Sequence, residues 1–541
     1  MANTKSINRR ALLQGGAAML GAGMLGSFTT AASSSTEKTP DQLFNVKKFG
    51  ASGDRDQRAT LYIRQAIEAC AAAGGGIVYV PPGEYTVGTL QLRDNITLYM
   101  EAGATFFLSQ LPEDFIRGAR SMIFAENANN ISVKGKGTFD GLAQYVYEEM
   151  NGIDRDIAKE IEIAKNAGVD MRRYYRSSSS MNTYMVIIND CTNVLLEDIS
   201  IINSPLWTIR FTTCDRIFVR GVYIYSDLEK GVNADGIDIC SSSNVVISDS
   251  VIITGDDCIV LKTRSLGEGV KVNPVENVVV TNCILTSSST PLMIGTETFA
   301  DFRHIIFSNC TIRDSNKGFG INVQDGATVS DVIITNLTIE ENRRHWNWWG
   351  SAEMCKFILL KRNELSRLGK IQNVVVNNIV VHARGTSTIT GHPDQPIENI
   401  RMTNLQIFMD PENTIDKRTG HAIKFENVKE LRVRDLSVKW SEDRIEKAWQ
   451  SALALENVMD AEIRYFSGRQ GLKSSDIPAI RLTDVSEVLI SESRATEGCG
   501  TFVHVQGDSS NEIILKGNYT KKARKKLSFE NDRLKSSVTS D

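Results

Sequence analysis

Three aspartates, Asp235, Asp256 and Asp257, have the type and spacing of a carboxylate cluster. They lie in Asn-Ala-Asp-Gly-Ile-Asp, from Asn233, and in Gly-Asp-Asp-Cys, from Gly255. Grouped carboxylates repel one another, so at least one should hold its proton near neutral pH. A protonated carboxyl beside an ionised one can serve as general acid and general base in one reaction. A calcium site, or polar turns that cap a repeat, are the alternatives, because Asp-Gly and Gly-Asp-Asp are common turn sequences.

Internal repeats after Asn130 predict how these aspartates are positioned. Each unit has two short β-branched runs separated by a polar break, as in NVVISDSVIITG from Asn244 and NVVVTNCILTS from Asn277, and most units start about 23 to 33 residues apart. Strand-like alternation at this period, without intervening helices, predicts an all-β fold, a right-handed parallel β-helix. Asp235 and Asp256 are 21 residues apart, close to one coil, so they should lie about 4.8 Å apart if in register. An antiparallel propeller is disfavoured because hairpin turns are few.

The repeats also predict the domain organisation. We expect the β-helix to span residues 44–520, with an amphipathic cap helix at 60–73 and an insertion at 142–180 containing a second helix at 145–166. The polar segment 521–541 is predicted to be disordered.

Residues 1–36 have the layout of an export signal. Lys5, Arg9 and Arg10 precede an apolar, Gly-rich stretch. The arginine pair predicts a twin-arginine signal, with an ordinary signal peptide or an uncleaved anchor as alternatives. We therefore expect a periplasmic or extracellular protein, with no membrane span in the mature chain.

Composition narrows the function classes. Hydrophobic residues make up 41%, charged residues 23%, and the net charge is -4, so a soluble protein that does not bind nucleic acid is expected. The nine cysteines include no CxxC pair, which favours buried thiols over disulfides or zinc. We expect no cofactor and no metal, and a monomer.

The aspartate motifs, at this spacing, resemble family 28 of the glycoside hydrolases, the polygalacturonase and rhamnogalacturonase family. Further similar segments are FGASGD with AIEACAAAGGGIVYVPPGEY, GTFDG at 137–141, NSPLWTI at 203–209 and IGTET at 294–298, and the resemblance covers roughly residues 44–340. It implies a glycosidase that inverts the anomeric centre, with Asp256 as the acid and Asp235 and Asp257 activating water. The implied substrate is a pectin-like or other acidic polysaccharide, and the insertion favours cleavage from a chain end.

The chain departs from the family pattern where the family usually carries Gly-His-Gly and Arg-Ile-Lys. Thr290 stands in place of the His, and Gly320 and Asn322 replace the Arg and Lys. Four residues are therefore candidates for substrate binding by polar or charged groups: Asn233, Lys262, Glu297 and Arg303.

An aromatic run from Arg343 to Trp349 supplies a second type of candidate. Trp346, Trp348 and Trp349 could present a flat apolar face to a sugar ring, or could instead anchor their loop to the solenoid. A polysaccharide lyase and an inactive glycan-binding β-helix protein remain the alternative functions; the missing His, Arg and Lys favour the second of these, and a lyase would need Ca²⁺ and would give unsaturated products.

Overall fold

The computed structural model describes residues 43–149, 158–173, 175–177, 182–264 and 272–541. The predicted export signal lies outside these residues. Within them, no helix is both long and apolar enough to cross a membrane.

The chain has two α-helices, α1 (Thr60–Ala72) and α2 (Ala158–Ala167). Before and within the insertion the strands are β1 (Leu43–Asn45), β2 (Gly76–Val80), β3 (Gly83–Val87), β4 (Leu90–Gln91), β5 (Ile96–Met100), β6 (Ala104–Leu108), β7 (Ser121–Glu126), β8 (Asn129–Gly135), β9 (Thr138–Asp140), β10 (Tyr147–Glu149) and β11 (Tyr175–Ser177). The next strands are β12 (Tyr184–Asn189), β13 (Thr192–Glu197), β14 (Ser200–Ile202), β15 (Ile209–Thr212), β16 (Asp215–Arg220), β17 (Tyr223–Tyr225), β18 (Ile237–Cys240), β19 (Ser243–Ser248), β20 (Val251–Thr254), β21 (Ile259–Thr263), β22 (Val275–Thr281), β23 (Ile284–Ser287), β24 (Leu292–Thr298), β25 (Phe302–Ser308), β26 (Thr311–Ser315) and β27 (Lys317–Val323). The later coils contain β28 (Thr328–Glu341), β29 (Glu353–Leu359), β30 (Lys370–Ala383), β31 (Ser387–Thr390), β32 (Ile397–Met409), β33 (Ile423–Trp440), β34 (Leu453–Arg464), β35 (Ser467–Gly468), β36 (Pro478–Thr483), β37 (Ser486–Ser491), β38 (Arg494–Ala495), β39 (Cys499–Gln506), β40 (Asn511–Lys516), β41 (Ala523–Phe529) and β42 (Val538–Ser540).

All of these strands except β10 and β11 form a right-handed parallel β-helix, as predicted. Between the first and last coils, the strands of the β-helix pair in parallel with counterparts one coil earlier and one coil later, for example β18 with β15 and β21. Three stacks of strands result, and the stack containing β15, β18, β21, β24, β27 and β29 carries the candidate active site. We call this stack the cleft sheet.

The repeat produces a continuous apolar interior. Ile217, Val245, Val278 and Ile305 are register partners on successive coils, and none of them is exposed. Each coil alone would leave its inner face in water, and stacking removes that area at about 25 cal/mol per Å². All nine cysteines are buried and unpaired, as the repeat pattern predicts.

Asparagines mark the corner at which many coils begin a new strand. Asn244 and Asn277 have φ values of 56° and 59°, in the left-handed region that Asn tolerates better than most residues. Asn277 donates its side-chain amide to the Asn244 Oδ1 at 3.0 Å. The corner thus explains why so many repeat units start with Asn.

The two ends and the insertion refine the sequence-based picture. Helix α1 covers the start of the solenoid, with Ile63, Ile67 and Cys70 buried. The insertion holds helix α2, but the prediction of helix from residue 145 is wrong there, because Tyr147–Glu149 forms an antiparallel pair with Tyr175–Ser177.

Residues 521–541 are ordered, and the prediction of a disordered tail is wrong. Strand β41 pairs with β39 and strand β42 with β40, so the segment forms a last coil. Leu527, Phe529 and Val538 pack on the core and Leu534 is 4% exposed. Because charged residues surround these few apolar residues, the composition of the segment indicates disorder even though the segment folds.

Candidate active site

The three aspartates enter one cleft from turns on successive coils. Asp235 precedes β18, and Asp256 and Asp257 precede β21. The Gly236 amide donates to the Asp257 carbonyl at 2.8 Å, which continues the parallel ladder through these turns. The repeat therefore stacks the two aspartate turns directly on one another.

The cleft has a volume of about 470 Å³, enough for roughly two sugar rings at molecular volumes typical of small ligands. Four of its lining residues are acidic: Asp235, Asp256, Asp257 and Glu297. The other lining residues are Trp207, Asn233, Lys262, Ser289, Thr290, Met293, Gly295, Thr296, Lys317, Asn322, Gln324, Trp349 and Arg362.

Burial and mutual proximity raise the pKa values of Asp256 and Asp257 above those of free carboxyls. Burial, then Asp235 and Asp257, raises the pKa of Asp256 well above its ordinary value, and Lys262 and Arg172 oppose that rise. Burial and Asp235 raise the pKa of Asp257 to about 6, against opposing effects of Lys262 and Lys317. A carboxyl that keeps its proton therefore stands beside one that ionises near pH 6, as general acid–base catalysis requires.

Lys262, a predicted substrate-binding residue, lines the cleft and is built into the carboxylate cluster. Its Nζ lies 3.0 Å from the Asp235 Oδ2 and 2.7 Å from the Asp238 Oδ1. It also lies 3.8 Å from the centre of the Trp207 ring, a cation–π contact. All three ionic side chains are at most 7% exposed, and the two carboxylates raise the pKa of Lys262 well above its ordinary value against the opposing effect of burial.

The predicted substrate-binding residues separate into those that reach the cleft and those that do not. Asn233 lines the cleft and accepts a hydrogen bond from the Trp207 Nε1 at 3.4 Å. Glu297 also lines it, 3.8 Å from the Arg264 Nε. Arg303 does not: it lies on β25, outside the cleft sheet, and pairs with Glu276 at 2.5 Å. Arg303 and Glu276 are register partners on adjacent strands, which explains their pairing.

Only one of the three candidate tryptophans reaches the cleft among the described residues. Trp349 lines it and is 40% exposed. Trp348 is 5% exposed and packs beneath Arg172, and Trp346 donates its Nε1 to the Asp170 carbonyl at 3.1 Å. The run therefore anchors the loop with two rings and presents the third to the cleft.

Substitution of these tryptophans should separate binding from stability. Trp349→Ala should raise KM by about tenfold through loss of a sugar-facing ring, with little change in melting temperature. Trp348→Ala should cost about 3–5 kcal/mol of stability, because it empties a buried volume. Steady-state kinetics and thermal denaturation of the two variants check this; equal effects on KM and stability in both would contradict it.

Among the charged and aromatic residues of the cleft, sequence analysis missed three. Trp207 underlies Lys262, Lys317 lies at the start of β27 and is 8% exposed, and Arg362 binds Asp325 through two hydrogen bonds of 2.7 and 2.8 Å. Lys317 and Arg362 lie in segments with no distinctive motif. Trp207 lies within NSPLWTI, one of the segments similar to the family pattern.

The positions that depart from the family pattern leave a small, weakly polar surface. The Thr290 amide donates to the Asp257 Oδ1 at 3.0 Å. At Gly320 a Cβ would meet the Met293 Sδ at 2.8 Å, so a larger side chain would require Met293 to move. Asn322 lines the cleft and accepts from the Gln324 amide at 3.0 Å. Within the part of the chain that the structure describes, no group of three or more His, Cys, Asp or Glu side chains is arranged to hold a metal ion.

Solved structures share the fold. The chain aligns with an exopolygalacturonase from Thermotoga maritima at 22% identity and a TM-score of 0.54, covering 68% of this chain and 88% of the other. A tailspike protein of E. coli bacteriophage HK620 aligns at 12% identity and a TM-score of 0.56, covering 92% of this chain and 80% of the other. These likenesses show the fold of the chain.

Sequence comparison is more specific. The chain is 26% identical over 298 residues to an exo-poly-alpha-D-galacturonosidase of Dickeya chrysanthemi, covering 48% of each protein. It is 25% identical over 284 residues to a polygalacturonase of Gossypium barbadense, covering 49% of this chain and 64% of the relative. The match thus spans about half the length of the first relative. The profile of Glycosyl hydrolases family 28 matches residues 70–415, which is more than half of the chain and includes every residue that lines the cleft, and the chain therefore belongs to family 28 of the glycosyl hydrolases.

Proposed function

We propose that this protein is a glycoside hydrolase that cleaves a pectin-like or other acidic polysaccharide with inversion at the anomeric carbon, from a chain end. The observation that carries the proposal is the stacking of Asp235 on Asp256 and Asp257 in one cleft, where burial and mutual repulsion raise the pKa of Asp256 well above its ordinary value and that of Asp257 to about 6. Family 28 membership and relatives named as polygalacturonases support it.

In the proposed reaction, protonated Asp256 gives its proton to the glycosidic oxygen as the bond from that oxygen to the anomeric carbon breaks. A water molecule attacks the same carbon from the opposite face, and ionised Asp257 or Asp235 takes its proton. Both products are saturated sugars, one with a new reducing end. Lys262 and Trp207 keep Asp235 in place beside the reacting atoms.

Lys317 supports an acidic substrate. Among the described residues that line the cleft, it is the cation whose side chain forms no ion pair or hydrogen bond; Lys262 is held by Asp235 and Asp238, and Arg362 by Asp325. Glu353, Asp257 and Glu341 act on the Lys317 charge, but none of them forms a direct ion pair with it, so this buried ammonium would gain from a carboxylate brought by the substrate. We therefore assign the substrate carboxylate to Lys317, in place of the missing family Arg and Lys.

The insertion and the predicted export signal support two further parts of the proposal, the attack at a chain end and the location of the enzyme. The insertion lies against the cleft loops, where the Tyr147 hydroxyl donates to the Ser204 carbonyl at 2.8 Å, and it would obstruct a polymer running past the site. This supports attack at a chain end. Arg9 and Arg10 support export of a monomeric enzyme to the periplasm or medium.

A product screen tests the function. The purified protein would be incubated with polygalacturonate, methyl-esterified galacturonan, rhamnogalacturonan and sulfated algal glycans. Saturated monosaccharide released early, with less release from the esterified polymer, is the expected result, and proton NMR should show the inverted anomer first. Unsaturated uronate would instead establish a lyase, and binding without turnover would establish a glycan-binding protein.

The pH profile should be bell-shaped with its acid limb near pH 6. Asp257 works only when ionised, so activity should fall about tenfold per pH unit below its pKa of about 6. Asp256 works only when protonated, so activity should fall again above its raised pKa. Measuring kcat/KM from pH 4 to pH 10 checks this, and full activity at pH 4 would contradict the assignment of Asp257.

A further inference from the structure

Arg172, contributed by the insertion, is buried beneath the turn that carries Asp256. Arg172 is only 5% exposed. The Nε donates to the Glu229 carbonyl at 2.9 Å, and the Nη2 donates to the Gly255 carbonyl at 2.9 Å. The Gly255 carbonyl belongs to the peptide bond that leads directly into Asp256, so the guanidinium holds the backbone at the base of this side chain.

Arg172 joins the loops that carry Glu229 and Gly255, and these loops pack closely against one another. A Cβ at Gly255 would lie 2.3 Å from the Gly231 carbonyl oxygen, and the Gly255 amide donates to the Ser226 Oγ at 3.0 Å. The Thr254 and Ser287 hydroxyls both donate to the Asp256 carbonyl at 2.7 Å. Arg172 is therefore one member of a set of contacts that fix both peptide groups around Asp256.

The aromatic loop holds Arg172 from its other side. The guanidinium carbon lies 4.4 Å from the centre of the Trp348 ring. The Arg172 amide donates to the Asn347 Oδ1 at 3.0 Å, and the Asn347 side-chain amide donates to the Arg172 carbonyl at 2.9 Å. The insertion and the aromatic loop are therefore held together by their contacts at Arg172.

Arg172 also contributes charge. The acidic groups that face it are Asp256, Glu229 and Asp227, with the Tyr147 hydroxyl nearby. Asp256 in turn faces Asp235, Asp257, Lys262 and Arg172. On this side of Asp256 the guanidinium is thus the positive charge that balances the repulsion among the aspartates.

We infer that Arg172 is a positioning residue for the general acid: it fixes the Asp256 turn through the Gly255 carbonyl and places a positive charge beside that turn. The inference rests on the proposed function for its kinetic consequences, but its structural core, an electrostatic coupling between Arg172 and Asp256, is independent of the substrate.

Three variants test the kinetic consequences on a substrate that the wild type cleaves. Arg172→Met should lower kcat by about 100-fold, the cost of a slightly misplaced catalytic group. It should also move the alkaline limb of the pH profile upward by about half a unit or more, since loss of a nearby positive charge favours the protonated acid. Arg172→Lys should keep the limb near its wild-type position while kcat falls, because it retains the charge but not the forked contact.

Arg173→Gln is the matched control. Arg173 is 63% exposed and pairs with Glu149 on the insertion surface, so kcat and the pH profile should both be unchanged. An Arg172→Met enzyme that loses activity with an unmoved alkaline limb, or an equal effect of Arg173→Gln, overturns the inference.

Thermal denaturation tests the coupling without any activity. At a pH above the alkaline limb of the wild-type profile, where Asp256 is ionised, Asp256→Asn should raise the melting temperature more in the Arg172→Met background than in the wild-type background, by about 1 °C or more. The reason is that ionised Asp256 is disfavoured in the fold, and more so without Arg172. Additive shifts overturn the inference even if no glycan is cleaved; should Arg172→Met not fold, the same cycle with Arg172→Lys should be additive and with Arg172→Gln should not.

Discussion

Replacement of Asp256 by Asn should lower kcat by about 10²- to 10⁴-fold while leaving the fold and melting temperature intact or slightly improved. The amide has nearly the same shape but cannot give a proton to the glycosidic oxygen. Because the folded protein raises the pKa of Asp256, the ionised carboxylate opposes folding at neutral pH, and its removal should not destabilise. Initial rates on the substrate found by the product screen, with circular dichroism, measure both effects.

The leaving group distinguishes an acid from a base at this position. A nitrophenyl glycoside releases a phenolate that needs little protonation, so Asp256→Asn should retain much more of its activity on that substrate than on the polysaccharide. Asp257→Asn should lose activity on both, because water must be activated in either reaction. Asp394→Asn, at a side chain 82% exposed, is the control and should behave as wild type. Near-normal polysaccharide cleavage by Asp256→Asn would refute the assignment.

Replacement of Lys262 by Met should abolish activity and cost about 3–5 kcal/mol of stability near neutral pH. The ammonium neutralises Asp235 and Asp238, both almost fully buried, and Met would leave two carboxylates facing each other in the interior. Burial already raises the pKa of each of these carboxyls, and the loss of Lys262 would raise both further. Urea denaturation of the variant and the wild type measures the difference in free energy of unfolding.

The pH dependence of this loss identifies its cause. Carboxyls with a raised pKa in the folded state penalise folding only above their unfolded pKa, so the cost should grow from pH 4 to pH 7 and shrink again on acidification. Lys136→Met is the matched control, because Lys136 pairs with Asp198 at 2.9 Å on the surface, where the two side chains are 65% and 44% exposed. That change should cost about 0–1 kcal/mol. A loss for Lys262→Met that is independent of pH would point to lost packing on Trp207 instead.

Much of the architecture can be predicted from the sequence because the same residue pattern recurs in every coil. Asn at the corner, then alternating β-branched residues, predicts a strand, and the repeat predicts that strands stack. The same regularity places Asp235 next to Asp256 and Asp257, since residues one coil apart must lie above one another. Helix α1 can likewise be predicted, because its apolar residues recur with the period of a helix and it lies outside the repeats.

The side chains that decide charge and substrate contact do not follow from the repeat alone. Lys262 could have faced solvent or substrate; only the stacked strands show it between Asp235 and Asp238. Arg303 stands beside a cleft motif in sequence, yet its strand belongs to a different stack. Direction and partners depend on which stack a strand joins and on what the neighbouring coils present there.

By itself, the sequence determined the β-helix, its cap and the three aspartates, because these depend on local alternation and on one repeated spacing. Only the tertiary structure decided the position of Trp349, the burial of Trp348, the place of Lys317 and the reach of Arg172 under the Asp256 turn, because the contacts of these residues join segments that no repeat relates. It also decided the order of the last coil, in which a few apolar contacts with the preceding strands outweigh a composition typical of disorder.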